Sequence, residues 1–477
     1  MNPETPTAPR LHGMPWPRDD RHSLLLAGMI WVLIVLMIVP EGFDYQGLVA
    51  GTAPGSGSLL SRTLWLWLLA AAALIIFWRA GLAWLLAGTL NPFLLLIVAL
   101  AFASVTWSID PSLSLRRLIR LGTIVIACAA FVSMSWHARR FQNVVRPILT
   151  LLLCGSIIFG LAFPSLAIHQ EPSAELMGAW RGLANHKNGL GALSCMALIF
   201  WLHAGLTREV RLWPALAGGA IAAACLTLSR SSTAMATAAL VSAFLIAVLL
   251  APRGVRPYIP YFVAVLVGLL LIYGLAVLGL IPGLGTLMAP IAALTGKDMT
   301  LTGRTEIWAL LAEHIRSHPL LGTGYGAYWT AGPIAGTESY EFVRRMGSFY
   351  PGSAHNGYLE VLNDLGWVGL CCLIGFIAVY VRQSLRLLRL DYKQGALYLA
   401  LFIQQALTNV SETHWFSVLS VDFVITTLAT TALARGLLEH RLRQAFGEPR
   451  SSAPYSFAGG TIPLPPPQFT RAQGGGT

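Results

Sequence analysis

Mostly apolar runs long enough to cross a bilayer recur about a dozen times along this chain, and no other feature constrains its fold as tightly. Crossing about 30 Å of hydrocarbon takes roughly 17 to 25 helical residues. Within lipid, every backbone N–H and C=O must be satisfied inside the segment, which leaves the helix as the fitting form for runs of this length. The runs lie at Ser23–Pro40, Leu59–Trp78, Leu90–Trp107, Leu118–Trp136, Val145–Phe163, Gly189–Gly205, Leu212–Ser229, Thr233–Ala251, Tyr261–Ile281, Tyr358–Tyr380, Ala396–Ser411 and Phe416–Leu437. The expected fold is therefore all-α, a polytopic transmembrane helical bundle of about 12 spans. With 55% hydrophobic and only 11% charged residues, the chain lacks the polar surface of a water-soluble fold.

The formal charge of +11 is spread through short loops and builds no basic face, so anionic membrane lipid is the expected partner and nucleic acid is not. All six cysteines lie inside apolar runs, which leaves none in the loops for a disulfide framework or a thiolate metal site. The first apolar run has no small-residue cleavage site and reads as a retained helix behind a polar N-terminal segment, residues 1–22. Gly218 and Gly219, in an Ala-rich stretch, are suited to close approach of neighbouring helices.

Orientation follows from Lys and Arg, which cytoplasmic loops retain. Twelve spans put the larger share of the 32 basic residues on the side of the two termini, including Arg382, Arg386, Arg389 and Lys393 in one short loop. Both termini are expected in the cytoplasm. The transmembrane domain is expected over 23–440, with a disordered cytoplasmic Pro/Gly-rich tail over 441–477. One connection breaks the pattern of short loops: residues 282–355, between spans 9 and 10, on the extracytoplasmic side. Within it Trp308, Leu311 and Ile315 recur at helical spacing and Pro319 comes soon after, predicting a helix over Thr305–Ser317 that caps a cavity or lies on the membrane surface.

Cations outside the cytoplasm in short apolar connections run against the insertion bias, which singles out Arg181, Lys187, Arg230 and Arg304. Each alone is compatible with headgroup snorkelling or pairing with Glu175, Glu306 or Glu341. As a set they point to a shared anionic ligand, because a guanidinium grips phosphate bidentately and stays charged at any working pH. His355, at the end of the long loop and the start of the tenth span, is placed to accept a proton near neutral pH. Tyr358 shares nearly its helical face, whereas Glu360 is roughly 140° round the helix and is not expected to pair with it. Asp364 and Asp422 are expected to be structural hydrogen-bond partners. His314 and His318, four apart, have no Glu between them in the zinc-protease pattern and are followed by Pro319, so no metal is expected. Gly322-Thr-Gly-Tyr-Gly326 has neither the preceding strand nor the Lys-Ser/Thr ending of a nucleotide loop and reads as a turn.

The ordered motifs Arg181-Gly-Leu-Ala-Asn-His-Lys-Asn188, Ser229-Arg-Ser231, Gly303-Arg-Thr-Glu-Ile-Trp308, Pro319-Leu-Leu-Gly-Thr-Gly-Tyr-Gly326 and Ala354-His-Asn-Gly-Tyr-Leu-Glu360 resemble the O-antigen ligase and Wzy-type polysaccharide polymerase superfamily. The segment Trp107-Ser-Ile-Asp-Pro111 adds to the resemblance, which spans roughly Trp107 to Trp415, and the His-Lys-Asn form is most similar to ExoQ-type exopolysaccharide polymerases. The resemblance implies a glycosyltransferase of the bacterial inner membrane with a periplasmic active face. Its donor would be a polyprenyl-diphosphate-linked glycan, and its acceptor a sugar hydroxyl on a growing glycan or, in a ligase, on lipid A-core. Carried onto this chain, Arg181, Arg230 and Arg304 would hold the diphosphate and His355 would activate the acceptor. His186, Lys187, Asn188, Asn356 and Tyr358 would be candidate substrate contacts. No cofactor is implied, since arginines can stabilise the departing diphosphate, and other polysaccharide-assembly proteins are implied as partners. The competing classes are a transporter or flippase, which would show inverted repeats and midplane ionisable groups, and a scaffold that binds carrier lipid without turnover.

Overall fold

The computed structural model describes residues 23–38, 59–134, 140–171, 176–277, 304–329, 338–346, 351–418 and 420–446. The helices are α1 (Ser23–Ile38), α2 (Leu59–Trp78), α3 (Ala80–Ala87), α4 (Pro92–Ala103), α5 (Pro111–Met134), α6 (Arg140–Ala162), α7 (Pro164–Ala167) and α8 (Lys187–Leu206). They continue with α9 (Leu212–Leu228), α10 (Ser232–Leu250), α11 (Ile259–Val277), α12 (Arg304–Ser317), α13 (Glu338–Arg345), α14 (Gly357–Leu390), α15 (Tyr392–Thr408) and α16 (Val421–Phe446). Among the described residues the remaining regular pairing is one antiparallel bridge, Ile168 to Trp180.

Every one of the twelve apolar runs carries a helix. Six helices are long and apolar enough to cross a membrane, or up to seven if α3 and α4, bent by 102°, form one broken span. Others are shorter, as with α1 at 16 residues and α9 and α15 at 17 each. The chain is thus an all-α, multi-pass membrane protein. The N-terminal segment 1–22 and much of the 282–355 loop lie outside the described residues. The tail expected to be disordered from residue 441 starts as a continuation of α16 as far as Phe446, and residues 447–477 lie outside the described residues. The compact unit that holds the site runs to Leu438, and a separate unit begins at Glu439.

Position in the bundle separates core helices from lipid-facing ones. Of the apolar window of α16, 89% is buried, against 22% for that of α2, which turns Trp67, Leu74, Phe77 and Trp78 outward. Gly218 leaves room for the Trp201 indole: a Cβ there would stand 2.1 Å from that ring, while Gly219 faces open space. Close approach at Gly218 is what joins α8 to α9. The six cysteines are free.

A break in α14 positions the long loop. At Gly366 the backbone turns to φ 64°, ψ −165°, and an added Cβ would lie 2.3 Å from the Leu320 carbonyl. Past the break, the Trp367 and Val368 amides donate to Pro319 O (2.9 Å) and Leu320 O (3.2 Å). The Asn363 and Asp364 carbonyls in turn accept from Thr323 N (3.1 Å) and Gly324 N (3.0 Å). The loop backbone therefore takes over hydrogen bonds that an unbroken helix would make with itself. Asp364 completes the dock by accepting from Gly326 N at 2.7 Å, the structural role expected of it. The glycine-rich segment is a turn, with Gly322, Gly324 and Gly326 all at positive φ.

Candidate active site

The segment that presents His355 is fixed on both sides. Asn356 caps α14, its Oδ1 accepting from the amides of Tyr358 and Leu359 at 3.0 Å each, and its Nδ2 donates to Val410 O at 3.2 Å. Gly357 N donates to Asn409 O at 2.9 Å, and a Cβ on Gly357 would fall 1.8 Å from Asn409 Oδ1. That same Oδ1 accepts from His414 N (2.9 Å) and Trp415 N (2.7 Å), which folds the α15–α16 connection back over the start of α14. Tyr358 is buried, with its hydroxyl donating to Ala406 O at 3.2 Å. In the Ala-His-Asn-Gly-Tyr motif, then, the polar groups of Asn356 and Tyr358 are engaged in capping and packing.

The folded-back connection carries Glu412, the residue that joins the site. Its Oε1 accepts from Asn188 Nδ2 at 2.6 Å and from Arg304 Nη2 at 2.9 Å, and its Oε2 lies 3.3 Å from His355 Nδ1. Burial acts to raise the Glu412 carboxyl, but the hydrogen bond to His355 and the charges of His355 and Arg304 outweigh it and hold the group down at about 2. Glu412 is therefore ionised, accepts only, and makes His355 Nδ1 the donor. In a neutral ring so held, Nε2 is the nitrogen with the free lone pair. His355 keeps 29% of its side chain exposed, against 15% for Glu412 and 16% for Arg304, so the histidine is the most accessible of the three.

Asn188 links this centre to two further elements. His186 caps α8, its Nδ1 accepting from Asn188 N at 3.3 Å, while His169 Nε2 accepts from Lys187 N at 3.2 Å and His169 Nδ1 meets Glu171 at 3.0 Å. Burial depresses the His169 imidazole below its ordinary value, and the charges of Arg181 and Lys187 push the same way, against the opposing pull of Glu171. Asn188 Oδ1 accepts from Ser231 Oγ at 3.1 Å, at the start of α10. Gly191 permits this: a Cβ there would lie 2.8 Å from Ala234 Cβ and 2.9 Å from Ser231 Cβ. The His-Lys-Asn motif and the Ser-Arg-Ser motif thus meet through one asparagine.

The three arginines occupy different environments. Arg304 is paired with Glu412, a partner outside the three carboxylates considered from sequence. Glu341 pairs with Arg344, Glu306 stands exposed, and Glu175 lies outside the described residues. Arg181 is buried, with Nε donating to Leu166 O at 2.7 Å, and follows Trp180, whose amide donates to Leu228 O at 3.0 Å. Gly182 stands at φ 57° against Ser156, where any Cβ would collide at 2.5 Å. Arg230 is exposed, at φ 50°, and reaches across Gly178 to Met177 O at 3.0 Å. Arg304 bonds Glu412 directly, Arg230 directly precedes the Ser231 that bonds Asn188, and Arg181 acts electrostatically on His169, whose Nε2 accepts from Lys187 N.

Sequence reasoning missed Glu412. Its one local signal was a carboxylate in the short connection Ser411-Glu-Thr-His-Trp415, on the side already assigned to the arginines. Asp422 accepts from Gln404 Nε2 at 2.6 Å, in keeping with a structural role. The rings of His314 and His318 lie 5.3 Å apart, and among the described residues no group of three or more His, Cys, Asp or Glu side chains is gathered as a metal site.

Residues 215–374, which contain Arg230, Arg304 and His355, match the O-antigen ligase family. The chain is also 31% identical over 306 residues to exopolysaccharide production protein ExoQ of Rhizobium meliloti (strain 1021). That similarity covers 61% of this chain and 65% of the relative, so the match spans just under two thirds of the relative's length. These two matches make the chain similar to O-antigen ligase and ExoQ-type proteins, the former over the residues that carry Arg230, Arg304 and His355.

Proposed function

We propose that this protein is a glycosyltransferase of the bacterial inner membrane that polymerises exopolysaccharide or O-antigen repeat units from a polyprenyl-diphosphate-linked glycan. The observation that carries the proposal is the His355–Glu412–Arg304 cluster: a partly exposed, carboxylate-oriented imidazole beside a guanidinium. Base, orienter and anion-binding group are the parts that acyl- and glycosyl-transfer chemistry requires together. The name of the relative, an exopolysaccharide production protein, favours polymer synthesis as the setting.

In this reaction His355 Nε2 takes the proton of the acceptor hydroxyl as its oxygen bonds to the anomeric carbon of the donor glycan. The bond from that carbon to the diphosphate oxygen breaks, and the electron pair leaves on the polyprenyl diphosphate. Arg304, with Arg181 and Arg230 at the border, stabilises that charge. The proton on His355 then passes to water. His186 and Lys187 stand at the same end of the bundle and are proposed to contact donor or acceptor. The active face is proposed to be periplasmic, with about 12 spans and both termini in the cytoplasm, in accord with the distribution of Lys and Arg.

Deletion of the gene in its own host tests the setting. Loss or shortening of secreted polysaccharide, restored by the wild-type gene and not by His355→Ala, is expected. A changed lipopolysaccharide ladder with intact secreted polymer would instead make the protein a ligase acting on lipid A-core.

A further inference from the structure

His355 stands at φ 47°, a left-handed conformation that a side chain with a Cβ seldom adopts, and the chain around it must hold it there. The residue just before it is gripped through both its amide and its carbonyl. The Ala354 amide donates to Glu360 Oε2 at 2.7 Å, and the Ala354 carbonyl accepts from the Trp308 indole at 2.9 Å. Glu360 is buried and is itself steadied by the Trp329 indole at 3.2 Å. Ala354 is wholly buried, so neither its amide nor its carbonyl has water as a ready substitute.

Trp308 sits one helical turn after Arg304 on α12, so the two side chains share a face. From that face Arg304 reaches Glu412 and Trp308 reaches the Ala354 carbonyl, which places both sides of His355 under the control of one short helix. Glu360, through its bond to the Ala354 amide, acts on His355 by way of the backbone. The expectation that Glu360 and His355 do not pair directly holds, and the connection is one peptide removed.

We infer that Trp308 and Glu360 are positioning residues for the reaction: they clamp Ala354 through its two flanking peptides and so fix His355 with Nδ1 on Glu412 and Nε2 toward the acceptor. The clamp rests on the role of His355 proposed above. One short helix, α12, thus carries both the arginine proposed to bind diphosphate and the indole that holds the residue before the base.

The test uses full-length protein in nanodiscs with a polyprenyl-diphosphate glycan, measuring kcat and the donor KM. Trp308→Phe keeps an aromatic ring and loses the indole donor. It is expected to lower kcat about tenfold or more while the donor KM stays within about twofold, because a displaced base slows the chemical step without weakening diphosphate binding. Glu360→Gln, whose amide oxygen can still accept from Ala354, should retain more activity than Glu360→Ala. Because both residues hold Ala354, Trp308→Phe combined with Glu360→Ala should cost less than the product of the two single losses. Wild-type kcat in Trp308→Phe, or a rise in KM alone, would overturn the clamp, and this variant decides the matter even if Glu360→Ala does not reach the membrane. Failure of the underlying reading is separable: wild-type turnover in His355→Ala removes the base itself, whereas an inactive His355→Ala beside a fully active Trp308→Phe removes only the clamp.

Discussion

Replacing Glu412 by glutamine preserves length and volume but changes what His355 can do. Glutamate offers two acceptor oxygens, one taking Asn188 and Arg304 and the other the His355 ring. With the Gln oxygen retained by Asn188 and Arg304, its NH₂ faces Nδ1 and forces that nitrogen to accept. The ring proton then moves to Nε2, the position proposed to receive the acceptor's proton. Loss of the correct tautomer and of the charge that supports imidazolium costs about 10² to 10⁴ in turnover at an oriented histidine, or about 3 to 5 kcal/mol at the transition state. A second effect concerns stability. The Glu412 carboxyl is held at about 2 against an ordinary 4.5, a depression worth on the order of 3 kcal/mol as an upper bound. Because the folded value lies below the unfolded one, that contribution is complete above about pH 4.5 and is lost as pH falls toward 2. Wild type should therefore exceed Glu412→Gln in thermal stability near neutral pH, with the gap closing below about pH 4. Turnover and unfolding of the two proteins, purified in the same detergent, check both effects. Turnover within about twofold of wild type, at normal membrane levels, would refute the orienting role of Glu412.

Arg304→Lys keeps the charge and loses the planar fork, and should impair turnover nearly as much as Arg304→Ala; a fully active lysine variant would reduce Arg304 to a point charge. Gly182→Ala must accommodate φ 57° and a contact of 2.5 Å with Ser156, and should lower membrane levels or thermal stability by about 1 to 3 kcal/mol. Chelator should leave wild-type turnover unchanged, as measured in the same assay, because arginines are proposed to stabilise the leaving diphosphate. In a background without the native cysteines, Ser317→Cys should react with an impermeant thiol reagent in intact cells and Gly254→Cys should not. Gly254 is exposed, so the reagent can reach it if it lies outside; labelling of Gly254→Cys would reverse the topology.

The architecture was legible because lipid imposes a length and an apolar composition on each span, and every such run does hold a helix. The loop helix was legible for a related reason: Leu311 and Ile315 are buried as their spacing required, with Ile307 beside them. Arg304 and His355 stood out as polar groups in apolar surroundings. Glu412 did not, because it lies 57 residues beyond His355 and meets it only through the fold of the α15–α16 connection. The break at Gly366 was equally hidden, since the apolar run continues through it and the loop backbone that fills it is distant in sequence. Motif residues also divide their duties in a way spacing does not reveal: His355 faces the site, while Asn356 and Tyr358 build the support beneath it.

The central claim is that His355, oriented by Glu412 beside Arg304, transfers glycan from a polyprenyl diphosphate. Its most direct test is a reconstitution of purified protein in nanodiscs with a polyprenyl-diphosphate glycan, tracking product length and release of the carrier diphosphate. Wild type should lengthen the glycan and release the carrier, whereas His355→Ala, folded and inserted alike, should leave the lipid-linked donor intact with turnover lowered by about 10² to 10⁴. Normal product formation by His355→Ala would contradict the account.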